Sequence, residues 1–423
     1  MSVSRSRPSL CLGLVLLALL CWAGCGGGGG ETTETTTDAK AAAQGSDSDR
    51  SQAAEEDLAD WPYFGRVPQR THYLKISTRE LHPPLKQAWS INTHALIEFP
   101  PAVANGVAYL VNKYGNTMAV RLSDHKILWQ DTVRKHLHGA PLDVTGPAYH
   151  DGRLFLAGIG GYLVALDATN GKLDWYRNLH AHLESSPLVV GDTLYIGTDS
   201  SQLLALDPSN GKTRWKFDAP GAIKASPSYN RGKVFVADYQ SAMFALDART
   251  GKPVWRTNTS KQAPFGRGGF YSSPAIAFGH VYAARDDGTV FAFDEKTGKV
   301  AWSYPTGDYV YGSPAVAQVP GTPPTVYIGA ENGRFFALHA RTGKKLWSYD
   351  VGGPIPGTAT VIGDHVFTSS FKTKKAIGID VHTRKPDFVA NTAGYNPVVS
   401  NGRHLFVVGY YKLVGLEPVH PSK

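Results

Sequence analysis

The chain has 423 residues, of which 18% are charged and 42% hydrophobic, with 45 glycines and a net charge of +8. That length allows one large domain or two or three small ones, with apolar content enough for a sizeable core. All three cysteines (Cys11, Cys21, Cys25) fall within the first 25 residues, which excludes a disulfide scaffold or a thiolate metal site from the remainder. Abundant glycine beside many Tyr, Phe and Trp favours β structure with tight turns.

At the N-terminus, Arg5 and Arg7 precede an apolar run from Leu10 to Leu20, the pattern of a secretory signal and too short for an ordinary membrane span. Ala23-Gly24-Cys25 resembles the bacterial lipobox, with Trp22 where leucine is usual. Residues 1–25 therefore read as a signal peptide, Cys25 as the lipidated residue, and the chain as an exported lipoprotein on the extracytoplasmic side of a membrane. Residues 26–60 open with five glycines and continue in Thr, Glu, Ala, Ser and Asp, a composition that cannot form a core and reads as a disordered acidic linker. Its reach is about 30–35 Å. The leader contributes +2 and the linker, with nine acids against Lys40 and Arg50, contributes −7, which leaves +13 on residues 61–423. A basic body suits an anionic lipid surface or wall polymer, and export makes nucleic acid the weaker partner.

The remainder is repetitive. Tryptophans stand at 89, 129, 175, 215, 255, 302 and 347, in steps of 40 to 47, the period of a four-stranded propeller blade. One unit reads as four short apolar runs: Ser185 to Val190, Thr193 to Gly197, Gln202 to Asp207 and Thr213 to Phe217, with Gly211 in the last turn. First strands begin near Pro101, Pro147, Pro187, Pro227, Pro274, Pro314, Ala359 and Pro397. Second strands carry Tyr109, Phe155, Tyr195, Phe235, Tyr282, Tyr327, Phe367 and Phe406, and third strands end near Leu122, Leu166, Leu206, Leu246, Phe293, Leu338, Ile379 and Leu416. Eight of each are followed by only seven fourth strands, the seventh a degenerate Pro386-Asp-Phe388. The spare fourth strand, Leu85 to Ile91 with Trp89, precedes everything else. The expected fold is all-β: an eight-bladed β-propeller over residues 61–423 whose N- and C-terminal strands close the last blade. The tryptophans recur in the repeat, so they read as structural covers of the seams between blades.

Ala165-Leu-Asp-Ala-Thr-Asn-Gly-Lys-Leu-Asp-Trp175 resembles the tryptophan-docking motif of pyrroloquinoline-quinone (PQQ) propellers, as do Ala205–Trp215, Ala245–Trp255, Ala292–Trp302 and, with His339 replacing the aspartate, Ala337–Trp347. Asp60-Trp-Pro-Tyr-Phe-Gly-Arg66 with Arg70-Thr71 resembles the lead-in of PQQ-like propeller lipoproteins. The resemblance spans about residues 60–418. It implies either a quinoprotein oxidoreductase or a non-catalytic lipoprotein similar to the β-barrel assembly scaffold, BamB. The dehydrogenases imply PQQ, Ca²⁺, a catalytic Asp and usually a vicinal cysteine pair. No such pair remains after Cys25, and no acidic cluster suggests a Ca²⁺ cage. The expectation is a monomeric binding scaffold for envelope proteins or anionic surfaces, without catalytic residues and without a cofactor.

Two sets of residues are candidates for a propeller's ligand end. Connectors between blades carry His94, His136, His138, His180 and His182, and neutral imidazoles suit Zn²⁺ or Cu²⁺. No acid triad or cysteine supports a metal among them and their spacing matches no known motif, so none is expected there. Three residues before the first-strand prolines stand Glu98, Glu184, Lys224, Tyr271 and Tyr311, with Arg267 and Tyr309 nearby. These are the expected channel-mouth contacts for a ligand or partner.

Overall fold

The computed structural model describes residues 60–76, 81–137, 145–262, 268–392, 395 and 398–419. The leader, Cys25, the linker up to residue 59, His138 and Arg267 lie outside the described residues. Within them the strands form eight sheets, and the single 3-10 turn is Val133–Leu137. Each sheet has four antiparallel strands, in chain order in all blades but the last; blade 3, for example, is Leu188–Val190, Thr193–Gly197, Gln202–Leu206 and Thr213–Asp218. Blades 1, 2, 4, 5, 6, 7 and 8 have inner strands beginning at Ala102, Ala148, Ser228, Ala275, Ala315, Thr360 and Val398. Every inner strand has three residues, as crowding round a central axis requires.

The repeat is explained by one cross-strand triplet. On the fourth strand, Trp129, Trp175, Trp215, Trp255, Trp302 and Trp347 each pair with an alanine of the third strand: Ala119, Ala165, Ala205, Ala245, Ala292 and Ala337. In blades 7 and 8 the pairs are Phe388 with Gly378 and Trp89 with Gly415. The small residue leaves room for the outer ring, an indole in seven blades and Phe388 in blade 7, which meets the second-strand aromatic at ring separations of 5.6 to 6.2 Å. A bulge beside the pair re-aims the fourth strand.

The indole then covers the next blade. Trp175 donates to the Pro208 carbonyl (3.0 Å) and Trp302 to that of Ala340 (2.8 Å). The rings lie on the turn glycines Gly211 (φ +69°) and Gly343 (φ +70°), where a Cβ would come within 2.8 and 2.7 Å of them. Glycine is required there twice, for the left-handed backbone and for the close approach.

Ring closure joins the two ends of the chain. Leu85–Asn92 pairs with Lys412–Pro418, and Trp89 stands opposite Gly415. Leu413, Val414 and Leu416 are thereby buried instead of forming an apolar edge.

The residues before that strand do something further. From Trp61 to Leu74 the chain passes along the inner strands and accepts the hydrogen bonds that their free edges offer. Val103 pairs with Trp61, Tyr149 N–H donates to Pro62, Tyr229 to Pro68, Ile276 to Gln69, Val316 to Thr71 and Val361 to His72, at 2.7 to 2.9 Å. Tyr73–Leu74 adds a parallel fifth strand to blade 7. Arg70, wholly buried, donates to the carbonyls of Pro227 (2.7 Å), Ser186 (3.1 Å), Pro187 (3.4 Å) and Phe64. This strap satisfies inner-edge donors of six blades.

Candidate functional site

Connectors from fourth to first strands meet the second-to-third-strand loops at one end of the propeller. There the Ser-Pro and Thr-Ala steps that open the inner strands form a hydrogen-bonded arc. Gly146 N–H donates to Ser186 Oγ, Ser186 to Ser226, Ser226 to Ser273, Ser273 to Ser313 and Ser313 to Thr358 Oγ1, at 2.8 to 3.0 Å. Each link crosses to the following blade, so the arc ties blades 2 to 7 together. Above it opens a funnel of about 450 Å³. Phe64 of the strap and Phe99, in edge contact at 5.7 Å, lie in its lining.

The funnel wall is acidic and aromatic. Lys224 is the only Lys or Arg among the described lining residues. It is held by Glu184 (2.6 Å) and Asp199 (3.7 Å). Burial works against the charge of Lys224, but these two carboxylates outweigh it and raise its pKa. Burial, then the neighbouring Glu184, raises that of Asp199. Tyr271 donates to the second oxygen of Glu184 (2.9 Å), and burial followed by that carboxylate raises the phenol well above its ordinary value. Burial, then Asp286, pushes Tyr239 up to about 12. These phenols are neutral donors at physiological pH.

The rim is tyrosine-rich. Tyr309, 56% exposed, stacks on Tyr311 at 6.3 Å, and Tyr311 meets Tyr271 edge-on at 6.1 Å. Lys224 lies over Tyr239. Tyr114, Tyr395, Tyr410 and Tyr411 are exposed in loops or connectors of the same end.

The five ring residues expected before the prolines (Glu98, Glu184, Lys224, Tyr271, Tyr311) all line this funnel, with Tyr309 stacked at its edge. The connector histidines do not come together in it. His94 and His180 are exposed with left-handed backbone, His136 is bonded to Asp131 (2.6 Å), and the His182 carbonyl accepts the Asp199 N–H. Sequence reasoning missed the strap's part in the site. Asp60–Arg66 stood out as a motif, but nothing in it signalled that Phe64 would line the channel. It also missed a cluster away from the funnel, His82, His365 and Asp387, whose members lie too far apart in sequence to suggest one another.

This is an eight-bladed propeller of the PQQ-like class. The chain belongs to the family described as outer membrane protein assembly factor BamB, which matches residues 83–218 and 214–412. No curated protein sequence matches the chain. Among solved structures, BamB from Moraxella catarrhalis is similar in fold, at 19% identity and a TM-score of 0.63, covering 81% of this chain and 100% of that one. The quinohemoprotein alcohol dehydrogenase from Comamonas testosteroni is similar at 15% identity and a TM-score of 0.70, covering 89% and 83%. A europium-containing methanol dehydrogenase follows at 16% and 0.67, covering 84% and 90%.

The dehydrogenase likeness raises PQQ, an anionic tricarboxylate that needs cations and, with a metal, a set of free oxygen ligands. The described residues of the funnel do not fit it. Their one cation, Lys224, is already engaged by two carboxylates, and Glu184 is spent on Lys224 and Tyr271.

Proposed function

We propose that the protein is a non-catalytic scaffold of the cell envelope, anchored through a lipid on Cys25, that binds a protein partner on its tyrosine-rimmed face. The exposed tyrosines of that face carry the reading. Tyrosine offers large, stiff contact area at low entropic cost, and its hydroxyl keeps the free surface wet and soluble. The strap's Phe64 lies in the funnel lining beneath, and the rim tyrosines present the exposed contact area. Membership of a family described as an assembly factor supports partner binding, and the +13 of residues 61–423 supports operation beside an anionic surface.

The test is photo-crosslinking in the native cell from position 309, with position 254 on an outer strand as control. Defined protein adducts from 309 alone are expected, and the Cys25→Ser chain is expected to leave the membrane fraction. Equal labelling from both positions would overturn the docking face. Tight binding of PQQ with Ca²⁺ to the purified chain, with dye-linked alcohol oxidation, would overturn the non-catalytic reading.

A further inference from the structure

Away from the funnel, three side chains from separate elements converge beside blade 7. His365 lies in its second strand, His365–Ser370, and Asp387 in its fourth, Pro386–Ala390. His82 comes from the stretch that leads into the ring-closing strand Leu85–Asn92. One ligand atom from each lies within 4.8 Å of the other two. The His82 and His365 rings stand edge to face at 5.3 Å.

Both imidazoles are oriented for ligation. His365 is 1% exposed, with Nδ1 2.7 Å from Asp364 Oδ1 and Nε2 2.9 Å from Asp387 Oδ2. His82 Nδ1 lies 2.6 Å from the Pro83 carbonyl. An oxygen acceptor at Nδ1 fixes a proton there and assigns Nε2 to the metal, the arrangement that carboxylates and carbonyls impose on metal-bound histidines; at His365 the ion takes the place of the proton that otherwise links Nε2 to Asp387. Asp387 and His82 are exposed, so an ion has an entry path and a water can complete its shell. Metal bonds of about 2.0–2.2 Å at tetrahedral angles separate ligands by about 3.3–3.6 Å, so His365 Nε2 and Asp387, now 2.9 Å apart, open slightly and the pairs with His82, within 4.8 Å, need shifts of at most about 1.5 Å.

We infer that His82, His365 and Asp387 form a binding site for a borderline-soft divalent metal of the Zn²⁺ class, with Asp364 orienting His365. Two imidazoles and one carboxylate suit Zn²⁺, Co²⁺ or Ni²⁺ and offer too few oxygens for Mg²⁺ or Ca²⁺. The ion ties the lead-in of the closing strand to blade 7, where the outer strand carries Phe388 in place of the repeat tryptophan. A ligand bound only by the folded chain stabilises it by mass action, so the metal fastens the closure of the ring.

The experiment titrates Zn²⁺ alone into the full chain, purified in detergent and stripped with chelator, by calorimetry and thermal unfolding. One equivalent is expected to bind and to raise the unfolding midpoint, with Mg²⁺ and Ca²⁺ inert. Co²⁺ is expected to give the intense visible bands of a four-coordinate site. His82→Gln and Asp387→Asn replace exposed side chains, so both variants should fold. Each is expected to weaken Zn²⁺ binding at least tenfold and to abolish the thermal shift, while His180→Gln binds as the unaltered chain does. Absence of binding by the unaltered chain overturns the site, as does full-strength binding by either His82→Gln or Asp387→Asn.

Discussion

Five of the eight seams are built alike, and the three that flank blades 7 and 8 are not. From blade 1 to blade 6 each tryptophan stacks on the next blade's turn glycine and donates its indole N–H to a carbonyl there, as Trp129 does to Ala168, Trp215 to Ala248 and Trp255 to Glu295. Blade 7 offers Arg384, in left-handed backbone, at the glycine position of its turn, and its own outer aromatic is Phe388. Trp89 of blade 8 meets His125 of blade 1 at 5.0 Å instead of a glycine, and its buried N–H has no partner. The lesson is that a repeat encodes its own interface but not the closure of a circle. Closure falls to residues that repeat nowhere: the strap, the Leu85–Asn92 strand and one apolar cluster that joins Leu74 and Leu81 to blades 7, 8 and 1.

Removing those residues is the hardest test of that contrast. A chain beginning at Ile97 lacks strap and closing strand, which bares the edge of Lys412–Pro418 and the inner-strand donors together. It is expected to aggregate or to melt at least about 10 °C below a chain beginning at Asp60, a shift that corresponds to several kcal/mol. A chain beginning at Leu85 keeps the closing strand alone and should fall between the two. Equal melting of all three, followed by calorimetry, would break the claim that closure depends on the N-terminal residues.

Much of this architecture was legible in the sequence. The Trp spacing, the alanine ten residues before most tryptophans and the surplus fourth strand at Leu85 were enough for blade number and for closure, because a repeat writes the same physical demand many times over. The strap was less legible. Its bonds to the inner strands run through backbone carbonyls of Pro62, Pro68, Gln69, Thr71 and His72, which any residue possesses, so side-chain identity carries little trace of them. Funnel positions were reachable by counting back from the prolines. The Lys224–Glu184–Tyr271 network was not, since it joins three blades by contacts absent from any linear motif.

A titration sharpens the comparison next, because the strap holds a buried base. His72 packs edge-on against Phe64 at 4.7 Å, and its Nε2 is buried without a partner. Burial, then the neighbouring Arg70, pushes its pKa down to about 3 from 6.5. The folded chain therefore keeps His72 neutral while the unfolded chain protonates it below about pH 6.5, so stability falls as pH drops from 6.5 toward 3. At about 1.4 kcal/mol per pH unit, this one group costs about 1.5–2 kcal/mol between pH 6.5 and pH 5. His72→Asn does not titrate and tolerates the positive φ of 51° at that position. Urea unfolding at the two pH values should show a smaller acid loss in the variant by about that amount. His404, lowered chiefly by burial, keeps its own share of acid sensitivity in both chains. An unchanged pH dependence would mean that the strap is not packed as described.

The finest distinction lies between two tryptophans of equal burial. Trp302, 9% exposed, stacks on Gly343 and donates to the Ala340 carbonyl at 2.8 Å; Trp89, 8% exposed, faces His125 and donates to nothing. Substitution by phenylalanine removes a similar apolar area from each site, so the packing losses largely cancel in the difference. What remains is polar. Trp302→Phe discards a hydrogen bond with a net value of about 0.5–1.5 kcal/mol and leaves the Ala340 carbonyl seeking water, whereas Trp89→Phe removes a buried donor that was already unpaired. Trp302→Phe should therefore destabilise the chain by about 1 kcal/mol more than Trp89→Phe, read as the difference between their urea midpoints at constant m. If Trp89→Phe proves the costlier substitution, the seam between blades 8 and 1 makes full use of its indole, and the division between regular and closing seams does not hold there.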